Sequence, residues 1–373
     1  MKKLIYTLIW VTALLFSPTL ANSQNFFDPI KQKHDDNNIL VLTHPTVFNL
    51  KTFVTLVEEG LIDLPDYHVV GVFYDKGRYD YSETEKFLDT ATTLSVDFSL
   101  HRIKDTISKH EIFTNNPLTD DYKKIFDNSE GIIFFGGPDL PPSAYKEKTN
   151  LLTSIYDPHR HYFELSFLFH LLGRKQQPEY ESLLSQKPGY LIYGFCLGMQ
   201  TMNVATGGTL IQDIPTQIYG LNFAENVINQ DINKQHRNYH RVLSIDNKLL
   251  SGSFHQIHFL EESFLKSFSK EQILPVVYSN HHQAVKTLGK GFEKIATSLD
   301  EKVPEAIQHK KFDNVKGVQF HPEARFLYKE SARFKLHPDD TIHKTGREMI
   351  EEGASMDFHI RFWEDFSNRL NER

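Results

Sequence analysis

The sequence is poor in cysteine: its 373 residues contain one, Cys196. A single thiol cannot form a disulfide within the chain, so a scaffold held together by disulfides is excluded. The lone cysteine is either a buried inert thiol or a reactive group. The residues around it in the sequence must decide between these two interpretations.

An excess of positive charge is also missing. The chain has 41 Lys and Arg against 48 Asp and Glu, a formal net charge of −7, and the two signs are interspersed. No basic face is indicated, so we expect no nucleic-acid partner. Low-complexity runs and repeats are absent as well, which is typical of an ordinary globular protein.

Long hydrophobic runs are missing too. The apolar stretch Leu4 to Phe16 falls short of the roughly 20 residues that a membrane-spanning helix needs. It follows Lys2 and Lys3 and precedes the small-residue ending at Ala21, a pattern typical of a secretory signal peptide. We therefore expect a cleaved leader over residues 1–21 and an exported mature chain, periplasmic or secreted, without stable membrane association. An uncleaved membrane anchor is the alternative.

From Asn38 onwards, short apolar runs alternate with amphipathic stretches, which predicts an α/β domain with a largely parallel sheet. One helix is predicted to start after Asp157 and end at Gly173, and a C-terminal helix is predicted to dock on the core. We expect one domain over 22–373, with a core at 38–328 and a C-terminal helical extension at 329–373. The predicted strands are 39–42, 68–74, 131–135, 189–193, 295–298, 306–309 and 317–320. Residues 212–268 are interpreted as excursions over one sheet edge.

Cys196 lies in the string Gly194-Phe195-Cys196-Leu197-Gly198, between a predicted strand and a predicted helix. Flanking glycines permit the tight turn of a nucleophile elbow, here with Cys in place of Ser. The start of a helix favours the thiolate form, and the N–H of Leu197 points to where an oxyanion would develop. The pattern therefore favours a reactive cysteine over an inert one.

A second chemical element closes a later strand, in the string Gln319-Phe320-His321-Pro322-Glu323. Residues two apart in extended chain face the same way, so Glu323 can lie beside the ring of His321. The carboxylate would fix the ring tautomer and stabilise its protonated form, while the other ring nitrogen serves the thiol. The alternative is a surface histidine followed by a turn.

The two elements together, in this order, resemble the class I glutamine amidotransferase superfamily. Further strings narrow the resemblance to its gamma-glutamyl-gamma-aminobutyrate hydrolase and gamma-glutamyl hydrolase group. These strings are Gly136 to Pro142, Asp157 to Glu164, Asn203 to Asp213, Ser279 to Lys286 and Gly317 to Glu323. The resemblance implies a three-layer flavodoxin-like sandwich with a mostly parallel central sheet.

The resemblance also implies a hydrolase that cleaves gamma-glutamyl amide bonds through a thioester. Its catalytic triad would be Cys196, His321 and Glu323, and the N–H groups of Gly137 and Leu197 would form the oxyanion hole. The implied partner is a small gamma-glutamyl substrate, with no cofactor and no metal. The implied substrate-binding residues are Gln200, Asn280, His281 and His282.

Two segments, 222–268 and 329–344, differ from the family pattern, which leaves the identity of the substrate open. Two other functions remain as alternatives. A glutaminase subunit of an amidotransferase would need a synthase to receive its ammonia, and no synthase domain follows in this sequence. A metal-binding protein would use pairs of histidines, although no His-Glu-x-x-His string is present. These pairs are His236 with His240, His255 with His258, and His281 with His282.

Overall fold

The computed structural model of the chain describes residues 25–28, 38–91, 94–260, 263–269, 274–329 and 333–372. The predicted leader, 1–21, lies outside these residues. The structure contains twelve strands in the described part of the chain. They are β1 (Asn38–Thr43), β2 (Tyr67–Tyr74), β3 (Asp97–Ile103), β4 (Gly131–Phe134), β5 (Leu191–Phe195), β6 (Thr209–Ile211), β7 (Ser253–Phe259), β8 (Val276–Ser279), β9 (Ala284–Thr287), β10 (Phe292–Ser298), β11 (Pro304–His309) and β12 (Val315–Val318).

Ten α-helices connect and cover the strands in the same described ranges. They are α1 (Val47–Glu58), α2 (Ser82–Thr90), α3 (Thr119–Asp127), α4 (Pro158–Leu172), α5 (Leu197–Ala205), α6 (Ile214–Ile218), α7 (Ala224–Ile228), α8 (His240–Leu243), α9 (Gly346–Glu352) and α10 (Met356–Asn371). None of these helices combines the length and the apolar character that crossing a membrane requires.

The central sheet has ten strands in the order β3-β2-β1-β4-β5-β12-β11-β10-β7-β8. Every neighbouring pair from β3 to β12 is parallel, and every pair from β12 to β8 is antiparallel. The run β2-β1-β4-β5-β12 has the flavodoxin-like order, and β3 extends it at one edge. The predicted α/β class, with a large and mostly parallel central sheet, is confirmed.

Helices cover both faces of this sheet, which gives the three layers expected. The side chains of α3, α4 and α5 pack on one face, and those of α1 and α10 pack on the other. In α10, the buried residues recur every three or four positions, so the helix buries one continuous stripe. The predicted docking of this C-terminal helix is confirmed, with Phe358, Phe362, Trp363, Phe366 and Leu370 in the core.

The predicted limits of α4 are also found. The Asp157 side chain accepts hydrogen bonds from the N–H groups of His159 and Arg160, so it caps the helix start. Gly173 ends the helix with a φ of 69°, a conformation that favours glycine. The interpretation of 212–268 as excursions was incomplete, because β7 joins the central sheet between β10 and β8.

Candidate active site

Cys196 lies at the junction of β5 and α5. Its φ of 50° and ψ of −103° fall outside the regions that L-residues usually occupy. The residue is 5% exposed. A sharp strand-to-helix turn of this kind presents a nucleophilic side chain at the carboxyl edge of the sheet.

Two glycines permit this turn because the backbone on either side is in close contact. A Cβ on Gly194 would lie 2.6 Å from the carbonyl carbon of Gly198. A Cβ on Gly198 would lie 2.1 Å from the carbonyl oxygen of Phe134 in β4. A larger residue at either position would push α5 away from the sheet, so the G-x-C-x-G spacing is a packing requirement of the elbow.

The loop that follows β4 reaches the same point, because β4 and β5 are neighbours in the sheet. A Cβ on Gly136 would lie 2.9 Å from Cε1 of His321 and 3.6 Å from Cβ of Cys196. A Cβ on Gly137 would lie 2.9 Å from the Leu197 side chain. Leu197 is the first residue of α5, so its N–H has no acceptor within the helix. The predicted oxyanion-hole residues, Gly137 of the loop after β4 and Leu197 at the start of α5, therefore meet beside Cys196.

His321 follows β12, the neighbour of β5 on its other side. Its Nδ1 is 2.7 Å from Oε1 of Glu323, and its backbone N–H donates to the carbonyl of Tyr278 at 2.8 Å. Because an ionised carboxylate only accepts, Nδ1 carries a proton in this pair. The Nε2 atom is then left for the Cys196 sulfur, with which the ring interacts.

The protonation of His321 follows from its neighbours. Burial would by itself lower the pKa of the ring, but Glu323 and Cys196 outweigh burial and hold the pKa well above its ordinary value. His321 is therefore favoured as an imidazolium beside the cysteine sulfur. The structure brings together the three residues that the sequence predicted as a triad.

The turn between His321 and Glu323 is held in place by hydrogen bonds that involve α10. The carbonyl of Pro322 accepts hydrogen bonds from Nε1 of Trp363 at 3.3 Å and from the hydroxyl of Tyr328. The Trp363 Nε1 also donates to the Tyr328 hydroxyl, at 3.0 Å. The C-terminal helix therefore positions the turn that carries His321 and Glu323, as well as covering the sheet.

Arg160 fixes the loop after β4 in a similar way. Its Nε donates to Glu164 at 2.8 Å, and its Nη2 donates to the carbonyls of Phe135 and Gly136 at 3.1 and 3.2 Å. Both charged side chains are buried. Sequence reasoning matched the string Asp157 to Glu164 to a family pattern but did not assign this role, because the partners are backbone atoms distant in sequence.

A cavity of about 960 Å³ opens beside these groups. Its wall includes Gly136, Gly137 and His321, so it leads to the predicted catalytic centre. Sequence reasoning missed most of the other lining residues, because many come from α1 and from loops that no motif connects. Among these lining residues are His44, Phe48, Tyr79, Arg160, Phe326 and Phe334.

The predicted substrate-binding residues divide into two groups. Asn280 lines the cavity, whereas Gln200, His281 and His282 are not among the described residues that line it. The Nε2 of Gln200 donates to Gln319 at 3.1 Å. His282 lies between Asp139 and Asp213, at 3.0 Å from each carboxylate. These positions differ from the expectation of a shared binding site, because the three side chains are turned into the protein.

Three of the six histidines considered for a metal come together in the structure. His240 stacks edge-on against His337, with ring centroids 4.4 Å apart. His236, His255 and His281 instead meet one another around Glu305. The sequence indicated these three histidines as metal-ligand candidates, but not Glu305 or the grouping itself, which depends on contacts between segments distant in sequence.

Comparison with known proteins places this site in a family context. The Peptidase C26 family model matches residues 112–323. The provisionally named glutamine amidotransferase-like protein YvdE of Lactococcus lactis is 30% identical over 205 residues, which cover 55% of this chain and 70% of that protein. Protein NtpR of Enterococcus hirae is 28% identical over 200 residues, 53% of this chain and 68% of that protein.

A solved structure was also compared. It is a protein of Thermoplasma acidophilum, provisionally named as a component of GMP synthase, which is 12% identical with a TM-score of 0.33. The alignment covers 90% of this chain and 100% of that chain. The fold described above rests on the strands and helices of this chain itself.

Proposed function

The chain belongs to the Peptidase C26 family, and from that premise we propose that it is an exported hydrolase that cleaves gamma-glutamyl amide bonds through a thioester on Cys196. Family membership gives the chain a cysteine hydrolase-type function. The finer proposal rests mainly on one observation. A strained elbow cysteine and a His321–Glu323 pair joined at 2.7 Å lie at the ends of adjacent strands.

In the proposed reaction, the Cys196 sulfur attacks the side-chain carbonyl of the gamma-glutamyl group. The N–H groups of Gly137 and Leu197 stabilise the oxyanion that forms. The carbon–nitrogen bond then breaks, and His321 gives its proton to the leaving amine. Water attacks the thioester with His321 as the base, which releases glutamate and restores the thiol.

The size of the cavity supports a substrate with a substantial group on the amine side. At about 960 Å³, it lies at the upper end of the range for small-molecule sites, and a glutamyl group fills only part of it. Arg160 lines the cavity and is paired with Glu164, but its Nη1 has no hydrogen-bond partner among the described residues and can donate to a substrate carboxylate. The aromatic side chains of Phe48, Phe326 and Phe334 offer an apolar surface to the amine part.

Export is the remaining part of the proposal. It is supported by the order of Lys2, Lys3, the apolar run Leu4 to Phe16 and Ala21 in the sequence.

Hydrolysis of a small substrate panel tests the proposed activity. The panel contains gamma-glutamyl-gamma-aminobutyrate, poly-gamma-glutamate, folyl polyglutamate and glutathione, with an alpha-glutamyl dipeptide as the control. We expect release of glutamate from at least one gamma-linked compound and none from the alpha-linked control. Cleavage of free glutamine alone, and only with a second protein present, would assign the chain to the amidotransferase subunits instead.

A further inference from the structure

Three histidines and one glutamate that the proposed reaction does not use meet in the interior. His236, His255, His281 and Glu305 are each at most 4% exposed. One ligand atom from each lies within 4.8 Å of the others. His236 comes from the loop before α8, His255 from β7, His281 from the loop after β8 and Glu305 from β11, so the fold gathers them from four places.

Most of the polar atoms in this group lack a hydrogen-bond partner among the described residues. The unpartnered atoms are Nδ1 and Nε2 of His236, Nε2 of His281 and both carboxylate oxygens of Glu305. The Nδ1 of His236 is 3.1 Å from Glu305, but the two atoms are not aligned for a hydrogen bond. An unsatisfied buried polar group destabilises the fold, so five such atoms in one place indicate that the cluster holds a ligand.

Hydrogen bonds on the outer side of the His255 and His281 rings leave the lone pair of the other ring nitrogen facing the cluster. The Nδ1 of His281 is 2.9 Å from the carbonyl of Gln283, and the Nδ1 of His255 is 3.2 Å from the carbonyl of Gln256. A carbonyl can only accept, so both Nδ1 atoms carry the hydrogen and both Nε2 atoms are unprotonated in the neutral ring. Backbone carbonyls hold metal-binding histidines in this way in many metal sites.

The spacing matches a small tetrahedral ion. Bonds of about 2.0–2.1 Å place neighbouring tetrahedral ligands about 3.3 Å apart. Oε1 of Glu305 lies 3.1 Å from His236 and 3.9 Å from His255, and its Oε2 lies 4.0 Å from His281. All four ligand atoms lie within 4.8 Å of one another, so an inward movement of the side chains would complete the tetrahedron. The hydroxyl of Ser279, now 2.8 Å from Nε2 of His255, would give up that contact to the ion.

We propose that His236, His255, His281 and Glu305 bind one divalent transition-metal ion, with zinc as the expected ion. Three imidazoles and one carboxylate are ligands that Zn²⁺ accepts readily. Four buried protein ligands leave no open position for substrate, so the site is structural. It joins His236 and His255 of the segment 222–268 to Glu305 of the sheet. This inference rests on the buried cluster and not on the proposed hydrolase activity.

Metal analysis of the full chain tests the proposal. The protein is purified without metal-affinity steps, dialysed against metal-free buffer and measured by inductively coupled plasma mass spectrometry. We expect about one zinc per chain, a melting temperature that falls when a chelator removes the metal, and recovery when zinc is returned. A wild-type chain that holds no metal and takes up none from added zinc overturns the proposal.

Variants locate the ion. Replacing a ligand, as in His236→Ala, should weaken zinc binding by more than the roughly 10- to 100-fold that loss of an outer-shell partner costs. His258→Ala is the matched control, since His258 is on β7 outside the cluster, and it should keep the metal. Equal zinc content in the folded His236→Ala and His258→Ala proteins would contradict the assignment.

Cobalt binding provides a test that does not require any variant of the cluster to fold. The metal-free wild type titrated with Co²⁺ should develop the strong visible absorption of a tetrahedral site, and zinc should remove it. Cys196→Ala should show the same absorption while losing hydrolysis, which separates the metal site from the catalytic thiol. The absence of this absorption in wild type, or its loss in Cys196→Ala, would refute the site.

Discussion

At the scale of single residues, Cys196 is held in a conformation that the free chain would avoid. A non-glycine residue in a sparsely populated backbone region costs on the order of 1–3 kcal/mol. The φ of 50° at Cys196 persists because Gly194 and Gly198 allow β5, α5 and β4 to pack backbone to backbone. Strain at this position is the consequence of presenting a thiol at the start of a helix.

Gly137→Ala tests whether the loop after β4 takes part in the reaction. The added Cβ would lie 2.4 Å from Nη1 of Arg160, whose guanidinium is fixed by Glu164 and two carbonyls and cannot move aside. We expect the loop to shift and turnover to fall by about 10²–10³, as when one oxyanion donor is lost. Circular dichroism should show a folded protein.

The control is Gly189→Ala, where an added Cβ would meet nothing within 4 Å. That variant should keep the wild-type rate. Equal turnover in the Gly137→Ala and wild-type proteins would show that this loop takes no part in the reaction.

Substitutions of His321 and Glu323 test the separate role of each residue in the proposed reaction. His321→Ala should nearly abolish turnover, because the thiol loses its base and the leaving amine loses its acid. Glu323→Gln can still hydrogen-bond Nδ1 at the 2.7 Å contact, but it can enforce the wrong tautomer, a change that costs up to about 10⁴ in turnover in a serine triad. The rate constants from single-turnover kinetics should decrease in the order wild type, Glu323→Gln, His321→Ala. Full activity in His321→Ala would exclude the cysteine mechanism.

At the scale of elements, the site depends on loops that follow adjacent parallel strands and are held by their neighbours. α10 fixes the turn after β12 through Trp363, and Arg160 of α4 fixes the loop after β4. His282 links two further elements. It pairs with Asp139 of the β4 loop and with Asp213, the residue that caps α6.

The His282 link predicts a pH-dependent stability. Burial would by itself lower the pKa of His282, but hydrogen bonds to Asp139 and Asp213 raise it above its ordinary value. A raised folded-state pKa gives stability that is complete below about pH 6.5 and is lost as pH rises through the folded value. His282→Gln should therefore cost most at pH 6, about 3–5 kcal/mol for a broken buried pair, and less at pH 9.

Urea unfolding of wild type and variant at both pH values measures this difference. His110→Gln, at an exposed position, is the control and should change little at either pH. A cost for His282→Gln that grows between pH 6 and pH 9 would contradict the ion-pair assignment.

Sequence reasoning predicted the features that are determined by residues close together in the chain. The elbow glycines, the Asp157 cap, the Gly173 stop and the stripe of α10 each follow from a few neighbouring residues. Apart from the triad and the oxyanion-hole pair, which the family resemblance implied, it did not reach contacts between distant segments. The sequence placed His281 and His282 together in a binding site, whereas one turns towards Glu305 and the other towards Asp139. Adjacent residues in a loop can face different partners, and only the packing of the whole chain decides which.

At the scale of the whole molecule, the catalytic half and the antiparallel half of the sheet meet at β12. The parallel strands β4, β5 and β12 carry the loops of the proposed reaction, and the antiparallel strands β11 and β7 carry Glu305 and His255. A metal there would hold the segment 222–268 against the sheet. Hydrolysis and metal binding are therefore measurable separately on the same protein.

The proposed export makes a prediction about the mature chain. If Leu4 to Phe16 is the apolar part of a cleaved leader, N-terminal sequencing of the exported protein should begin near Asn22. Activity should be found in the periplasmic or culture fraction. Intact Met1 on membrane-bound protein would indicate an anchor instead, and a chain with Lys2 and Lys3 replaced by Glu should show reduced export.

The central claim is that Cys196 carries the acyl group during hydrolysis. Mass spectrometry of protein quenched during turnover of a gamma-glutamyl anilide tests this most directly. The account predicts one glutamyl group per chain, mapped by peptide analysis to Cys196, and neither adduct nor turnover in a folded Cys196→Ala protein. Continued hydrolysis by Cys196→Ala, or a glutamyl group mapped to another residue, would contradict it.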